Sequence, residues 1–146
     1  MHNDDFRLLT AGDGSAAMEL VRVAPGVSPV FGSNPGYQVY TYDTQTFALQ
    51  NETTSILDLA SSTPTWSNEY NYAETYGQTL ATPQEWLTTY AGILTNPVFQ
   101  TAYLTYKNQD AVGQSTITAA NAPVYLLAPF FVTPVTYNAA ATALAG

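Results

Sequence analysis

The chain has 146 residues, 46% of them hydrophobic, enough for one packed domain and against wholesale disorder. Eleven acidic residues against three basic ones give a net charge of -8, so the chain lacks the cations to neutralise a nucleic-acid backbone or to be drawn to an anionic membrane. It has no cysteine, which excludes a disulfide, a thiolate metal site and a cysteine nucleophile. Charged residues make up only 10% of the chain, against roughly 25% in typical domains, so Ser, Thr, Tyr, Asn and Gln must carry much of the polar surface.

In chain order, residues 5–10 and 17–23 are predicted strands, joined through Ala11-Gly12-Asp13-Gly14-Ser15 as a hairpin. The second strand sets Met18 and Leu20 against Glu19 and Arg22. A lone hairpin is marginal in water, so something larger is expected to cover its apolar face. From Ala24 the chain turns: Pro and Gly recur at close intervals up to Asn34-Pro35-Gly36, where Pro sets φ for one turn position and Gly is expected to supply positive φ at the next. The alternation Tyr37-Gln38-Val39-Tyr40-Thr41-Tyr42 predicts a strand.

Two shorter strands are predicted at residues 46–49 and 53–59, around Gln50-Asn51-Glu52, completing a small meander. After the break at 61–65, Trp66, Tyr70 and Ala73 fall at helical spacing up to a capping Gly77, predicting a helix. Three further helix starts share one device, a capping residue followed by Pro at the first helical position: Thr82-Pro83, Asn96-Pro97 and Thr133-Pro134. Glu85 completes a capping box on the first of these. Apolar stripes through Trp86, Leu87, Tyr90 and Leu94, and through Phe99, Tyr103 and Tyr106, predict an antiparallel helical cluster. The apolar run from Val124 to Val132 is too short to span a bilayer and is interrupted by Pro129, so no transmembrane segment is expected. The first residues show neither a basic nor an apolar region of a signal peptide.

The run Ala24-Pro25-Gly26-Val27-Ser28-Pro29-Val30-Phe31-Gly32-Ser33-Asn34-Pro35-Gly36-Tyr37-Gln38-Val39-Tyr40-Thr41-Tyr42-Asp43, followed by Trp66-Ser67-Asn68-Glu69-Tyr70 and Glu74-Thr75-Tyr76-Gly77, resembles the C-terminal part of the acid sphingomyelinase-like phosphodiesterases, members of the calcineurin-like metallophosphoesterases. The resemblance extends from His2 to about Lys107 and fades after Asn108. It implies an α+β fold, with residues 1–35 as the end of the phosphoesterase domain, contributing the last hairpin of its sandwich, and residues 36–146 as the family's mostly helical C-terminal domain. It also implies a secreted or extracytoplasmic protein. The absence of cysteine departs from relatives that carry disulfides here, and Gln38 stands where relatives often have Arg.

By the same resemblance, Met1-His2-Asn3-Asp4-Asp5-Phe6 matches the end of the family's last metal-binding motif, with His2 as its second histidine. His2 is then a ligand to a dinuclear zinc centre whose other ligands come from upstream motifs. Asp4 and Asp5 match the acidic pair of the motif and are given no ligand role. One imidazole cannot assemble a two-metal site, so the isolated chain is expected to be inactive and to need an upstream catalytic domain. In the intact enzyme the substrate is sphingomyelin or a related phosphodiester. Tyr37, beside the turn, is the candidate substrate contact. The alternative is a non-catalytic helical module that docks on a separately encoded catalytic chain.

Other constellations are weaker. Gly12-Asp13-Gly14 has neither the helix start nor the Lys of a phosphate loop. Glu69 and Glu74, five apart on the predicted helix, fall on different sides of it. Most of the 11 Tyr and 2 Trp lie on predicted core stripes. Asn51-Glu52-Thr53 fits a glycosylation sequon.

Overall fold

The structure is a computed structural model that describes residues 3–11, 15–29, 32–109, 117–118 and 120–145. These residues form two small antiparallel sheets and five helices, an α+β arrangement as the sequence predicts. Strands β1 (Asp5–Thr10) and β2 (Ala17–Val23) make the first sheet, with Phe6 opposite Arg22 and Leu8 opposite Leu20. Ala11 donates to the Ala16 carbonyl at 2.9 Å and closes the hairpin. Its tip, Gly12-Asp13-Gly14, lies outside the described residues.

Strands β3 (Gly36–Tyr42), β4 (Leu49–Leu57) and β5 (Trp66–Asn71) make the second sheet, in the order β3-β4-β5. Gly36 does not adopt the positive φ expected of it. It begins β3, and a Cβ there would lie 2.9 Å from the Cβ of Pro25, so the close packing of the Pro25 ring against this backbone is what requires glycine. Asn34 holds the junction: it donates to the Gln109 carbonyl at 2.9 Å and accepts from the Leu59 amide at 3.0 Å.

Two element predictions are corrected. The two short strands expected around Gln50-Asn51-Glu52 are one continuous β4, in which Gln50 is exposed while Asn51 and Glu52 find side-chain partners. Residues 43–48 form the turn before it, with Asp43 Oδ1 accepting from the amides of Gln45 and Thr46, both at 2.8 Å. The helix expected from Trp66 is a strand, β5, followed by a five-residue helix α1 (Tyr72–Tyr76). A spacing of four, Trp66 to Tyr70, satisfies the period of a strand as well as that of a helix, and pairing with β4 decides between them. The C-terminal cap is where it was expected, with Gly77 left-handed at φ 66° and its amide donating to Ala73.

All three Pro-marked starts open helices. In α2 (Pro83–Thr95) the Thr82 hydroxyl accepts from the Glu85 amide, and Glu85 Oε2 accepts from the Thr82 amide at 2.8 Å. Asn96 ends α2 and caps α3 (Pro97–Tyr106), accepting from Val98 at 2.9 Å. A further helix, α4 (Ala122–Leu127), overlaps the start of the apolar run, and α5 (Pro134–Ala145) follows the Thr133 hydroxyl, which accepts from Thr136 at 3.2 Å. No described helix is long and apolar enough to cross a membrane.

One buried cluster joins hairpin to helices: Phe6 and Leu8 of β1 pack with Tyr72, Tyr76, Leu80, Trp86, Tyr90, Ile93 and Tyr103. Trp86 is at its centre, 4.8 Å from the Phe6 ring and 4.5 Å from that of Tyr72. The Leu8 amide, turned away from β2, donates to the Pro129 carbonyl at 2.7 Å, so the segment after α4 covers that edge of β1. On α2, Trp86, Tyr90 and Ile93 face the core, whereas Leu94 is exposed.

Candidate functional site

The chemistry-bearing side chains converge where the hairpin meets the three-stranded sheet. Alternation along β2 sends Leu20 and Arg22 to the same side, inward, which corrects the expectation that grouped Arg22 with the solvent-facing Glu19. Arg22 lies over the Trp86 ring, with its guanidinium carbon 4.6 Å from the centroid. From there Nη2 donates to Glu52 Oε1 at 2.5 Å and Asp4 Oδ1 at 3.1 Å, Nε to Glu52 Oε2 at 3.1 Å, and Nη1 to the Asp5 carbonyl at 2.9 Å. The Tyr70 hydroxyl, from β5, lies 2.6 Å from Asp4 Oδ2 and 3.2 Å from Glu52 Oε1. Thr54 donates to Asp4 Oδ2 at 3.3 Å and accepts from Gln38, whose side-chain oxygen accepts from Tyr40 at 2.7 Å.

A second group adjoins the first. Asp5 forms ion pairs with Lys107 and Arg7, and its Oδ1 accepts from the Tyr103 hydroxyl at 2.9 Å. Asp4 is 4% exposed, Asp5 2%, Glu52 1% and Lys107 5%, so the acidic pair that was given no ligand role is buried. The three basic residues of the chain, Arg7, Arg22 and Lys107, are all engaged in these two groups.

Burial shapes the acid–base properties. It pushes the Glu52 carboxyl up to about 7, with Arg22 opposing and Asp4 adding to the rise. Burial also raises Asp5, but Lys107 and Arg7 outweigh it and hold that carboxyl below its ordinary value. Burial drives the Tyr70 and Tyr103 hydroxyls well up, so they act as hydrogen-bond donors and not as bases. The space lined by Asp4, Arg22, Tyr70 and Trp86 is a cavity of about 20 Å³, the size of one water. This is a packed interior and not a cleft for a substrate.

Of the residues given a site role by sequence, only Tyr37 is among the described residues, and it lies outside this cluster. His2 is outside the described residues. Tyr37 is on β3, 42% exposed, with its ring edge-on to Trp66 at 5.0 Å, while its neighbours Gln38 and Tyr40 join the buried network. Glu69 belongs to β5 and Glu74 to α1, so they share no helix. The Asn51 amide donates to Asn71 at 3.0 Å and its oxygen accepts from Ala73 at 3.1 Å, so the sequon is committed to joining β4 with α1. Among the described residues no three His, Cys, Asp or Glu side chains are arranged to hold a metal ion, so by themselves they do not fit a zinc centre. The sequence signal for the buried groups was the parity of Leu20 and Arg22, together with a supply of only three cations.

No protein-family model matches the chain, and no curated protein matches it.

Proposed function

We propose that the chain is the C-terminal portion of a metal-dependent phosphodiesterase acting on sphingomyelin or a related phosphodiester, inactive alone and completed by an upstream catalytic domain. The observation that carries this proposal is the motif run from Ala24 to Asp43 together with Met1-His2-Asn3-Asp4-Asp5-Phe6. In this reading His2 supplies one imidazole to a dinuclear zinc centre, the remaining ligands are upstream, and the protein is secreted or extracytoplasmic. Tyr37, exposed beside the junction, is available to contact a substrate. The zinc ions would polarise the phosphodiester and activate water; what the described residues do is hold the hairpin, which begins three residues after His2 in the sequence, against the sheet and helices.

The second reading, a non-catalytic module docking on a separate catalytic chain, is favoured by the apolar residues left exposed on the hairpin: Leu9, Val21 and Met18, the last 67% exposed. One experiment addresses both. Hydrolysis of sphingomyelin and of a chromogenic phosphodiester is measured with zinc for this chain, for a fusion to a metallophosphoesterase catalytic domain, and for an unlinked mixture of the two. The first reading expects activity in the fusion, falling more than about a hundredfold with His2→Ala, since a direct ligand should matter at least as much as its supporting partners. Activity indifferent to His2 overturns it. Restored hydrolysis in the unlinked mixture selects the docking module instead.

A further inference from the structure

Hairpin and three-stranded sheet share no strand pairing, and the side chains that bridge them are those around Arg22. Two carboxyl groups share one guanidinium and one tyrosine hydroxyl there. The Tyr70 hydroxyl has one proton to give, and Asp4 Oδ2 at 2.6 Å is better placed to receive it than Glu52 Oε1 at 3.2 Å. Once Asp4 receives it, the Tyr70 oxygen and Glu52 Oε1 are two acceptors facing each other. One guanidinium serves two carboxyl groups, both buried. A proton on Glu52 resolves both problems: it removes one of two like charges, and the carboxyl can then donate to the Tyr70 oxygen.

We propose that Glu52 is a proton-operated latch between the hairpin and the three-stranded sheet, closed when its carboxyl is protonated and loosened when it ionises. The groups facing it come from each neighbouring element: Asp4 ahead of β1, Arg22 from β2, Tyr40 from β3, Tyr70 from β5 and Tyr72 from α1. The tyrosines stay neutral through the physiological range, because burial raises all three hydroxyls. Among these neighbours Arg22 is therefore the sole cation and Asp4 the rival carboxyl. The burial that lifts Glu52 to about 7 puts the transition near neutrality. Its sign is fixed: an acid whose folded value lies above its unfolded value near 4.5 stabilises the fold progressively as pH falls from about 7 to about 4.5.

The test is chemical denaturation of the full chain from pH 8 to pH 5, beside Glu52→Gln, which mimics the protonated carboxyl in shape and charge. The wild-type folding constant should rise by tenfold or more on acidification, on the order of the change that one coupled proton produces. The Gln variant should lose that rise, and the difference between the two proteins removes any contribution from His2. Equal pH slopes in the two overturn the latch. Should the variant not fold, carbon-13 carboxyl titration of the wild type decides. One of the five glutamates must titrate near neutrality, and the β2 amides must exchange faster on its ionisation, beyond the intrinsic effect of pH. If all five titrate near 4.5, the proposal is wrong.

Discussion

The two halves of the buried charged region are built from the same residue types in opposite proportion. Around Asp5 one carboxylate meets two cations, Lys107 and Arg7, and a tyrosine hydroxyl donates to it. Around Arg22 one guanidinium meets two carboxyl groups, Asp4 and Glu52, and a tyrosine hydroxyl lies between them. The halves are covalent neighbours through Asp4-Asp5, yet their carboxyls are displaced in opposite directions, Asp5 down and Glu52 up. Local stoichiometry of charge, and not burial alone, decides which group ionises easily.

The largest test of this asymmetry removes one cation from each half. Arg22→Met takes away the only guanidinium facing two buried carboxyls and should cost about 3–5 kcal/mol, the range for breaking a buried pair from one side. Lys107→Met leaves Asp5 with Arg7 and the Tyr103 hydroxyl, so the loss should be nearer 2 kcal/mol, the scale of an unmet buried polar partner. Urea unfolding of both variants at pH 7 checks the order. If Lys107→Met proves the costlier change, the comparison between the halves fails.

A smaller effect of opposite sign to the latch is expected at low pH. A carboxyl held below its unfolded value contributes stability that is complete above the ordinary value near 3.8 and is lost as pH falls through its folded value. Asp5 therefore withdraws support in strong acid, whereas Glu52 adds support on the way down from neutrality. Stability should peak in mildly acidic solution and decline on both sides. Carboxyl titration by NMR should find Asp5 below 3.8 and Glu52 near neutrality in the same sample.

How much of this could be read beforehand differed by kind of signal. Helix starts were legible because they are local: a capping hydroxyl or amide, then a Pro, needs nothing from the rest of the chain. The hairpin and the strand from Gly36 were legible from alternation. Trp66 to Asn71 was not, because four-residue spacing fits both periods and a non-local partner, β4, settles the matter. The charged interior was least legible, since Asp4, Arg22, Glu52, Tyr70 and Lys107 come from distant parts of the chain. Glu52, within Gln50-Asn51-Glu52, looks like a turn residue until its partners are known. Of the candidate site, Tyr37 was singled out for its place beside the turn, whereas its neighbours Gln38 and Tyr40, on the opposite side of the strand, are the ones that join the buried network.

The smallest prediction uses a local feature to sharpen the same contrast. Thr82 caps α2 at the surface, where Glu85 answers it through the Thr82 amide at 2.8 Å. Thr82→Ala removes one acceptor for an end-of-helix amide that water can reach, so the cost should be about 1 kcal/mol. Burial of the Glu85 carboxyl is slight and its hydrogen bonds to Thr79 and Thr82 hold it below its ordinary value, so the loss should be nearly constant from pH 8 to pH 5. Thr82→Ala thus serves as the pH-flat reference: it lowers the whole stability profile of the wild type without changing its shape. If it instead removes the rise on acidification, that rise belongs to the packing of α2 on the hairpin and not to the Arg22 half of the buried cluster.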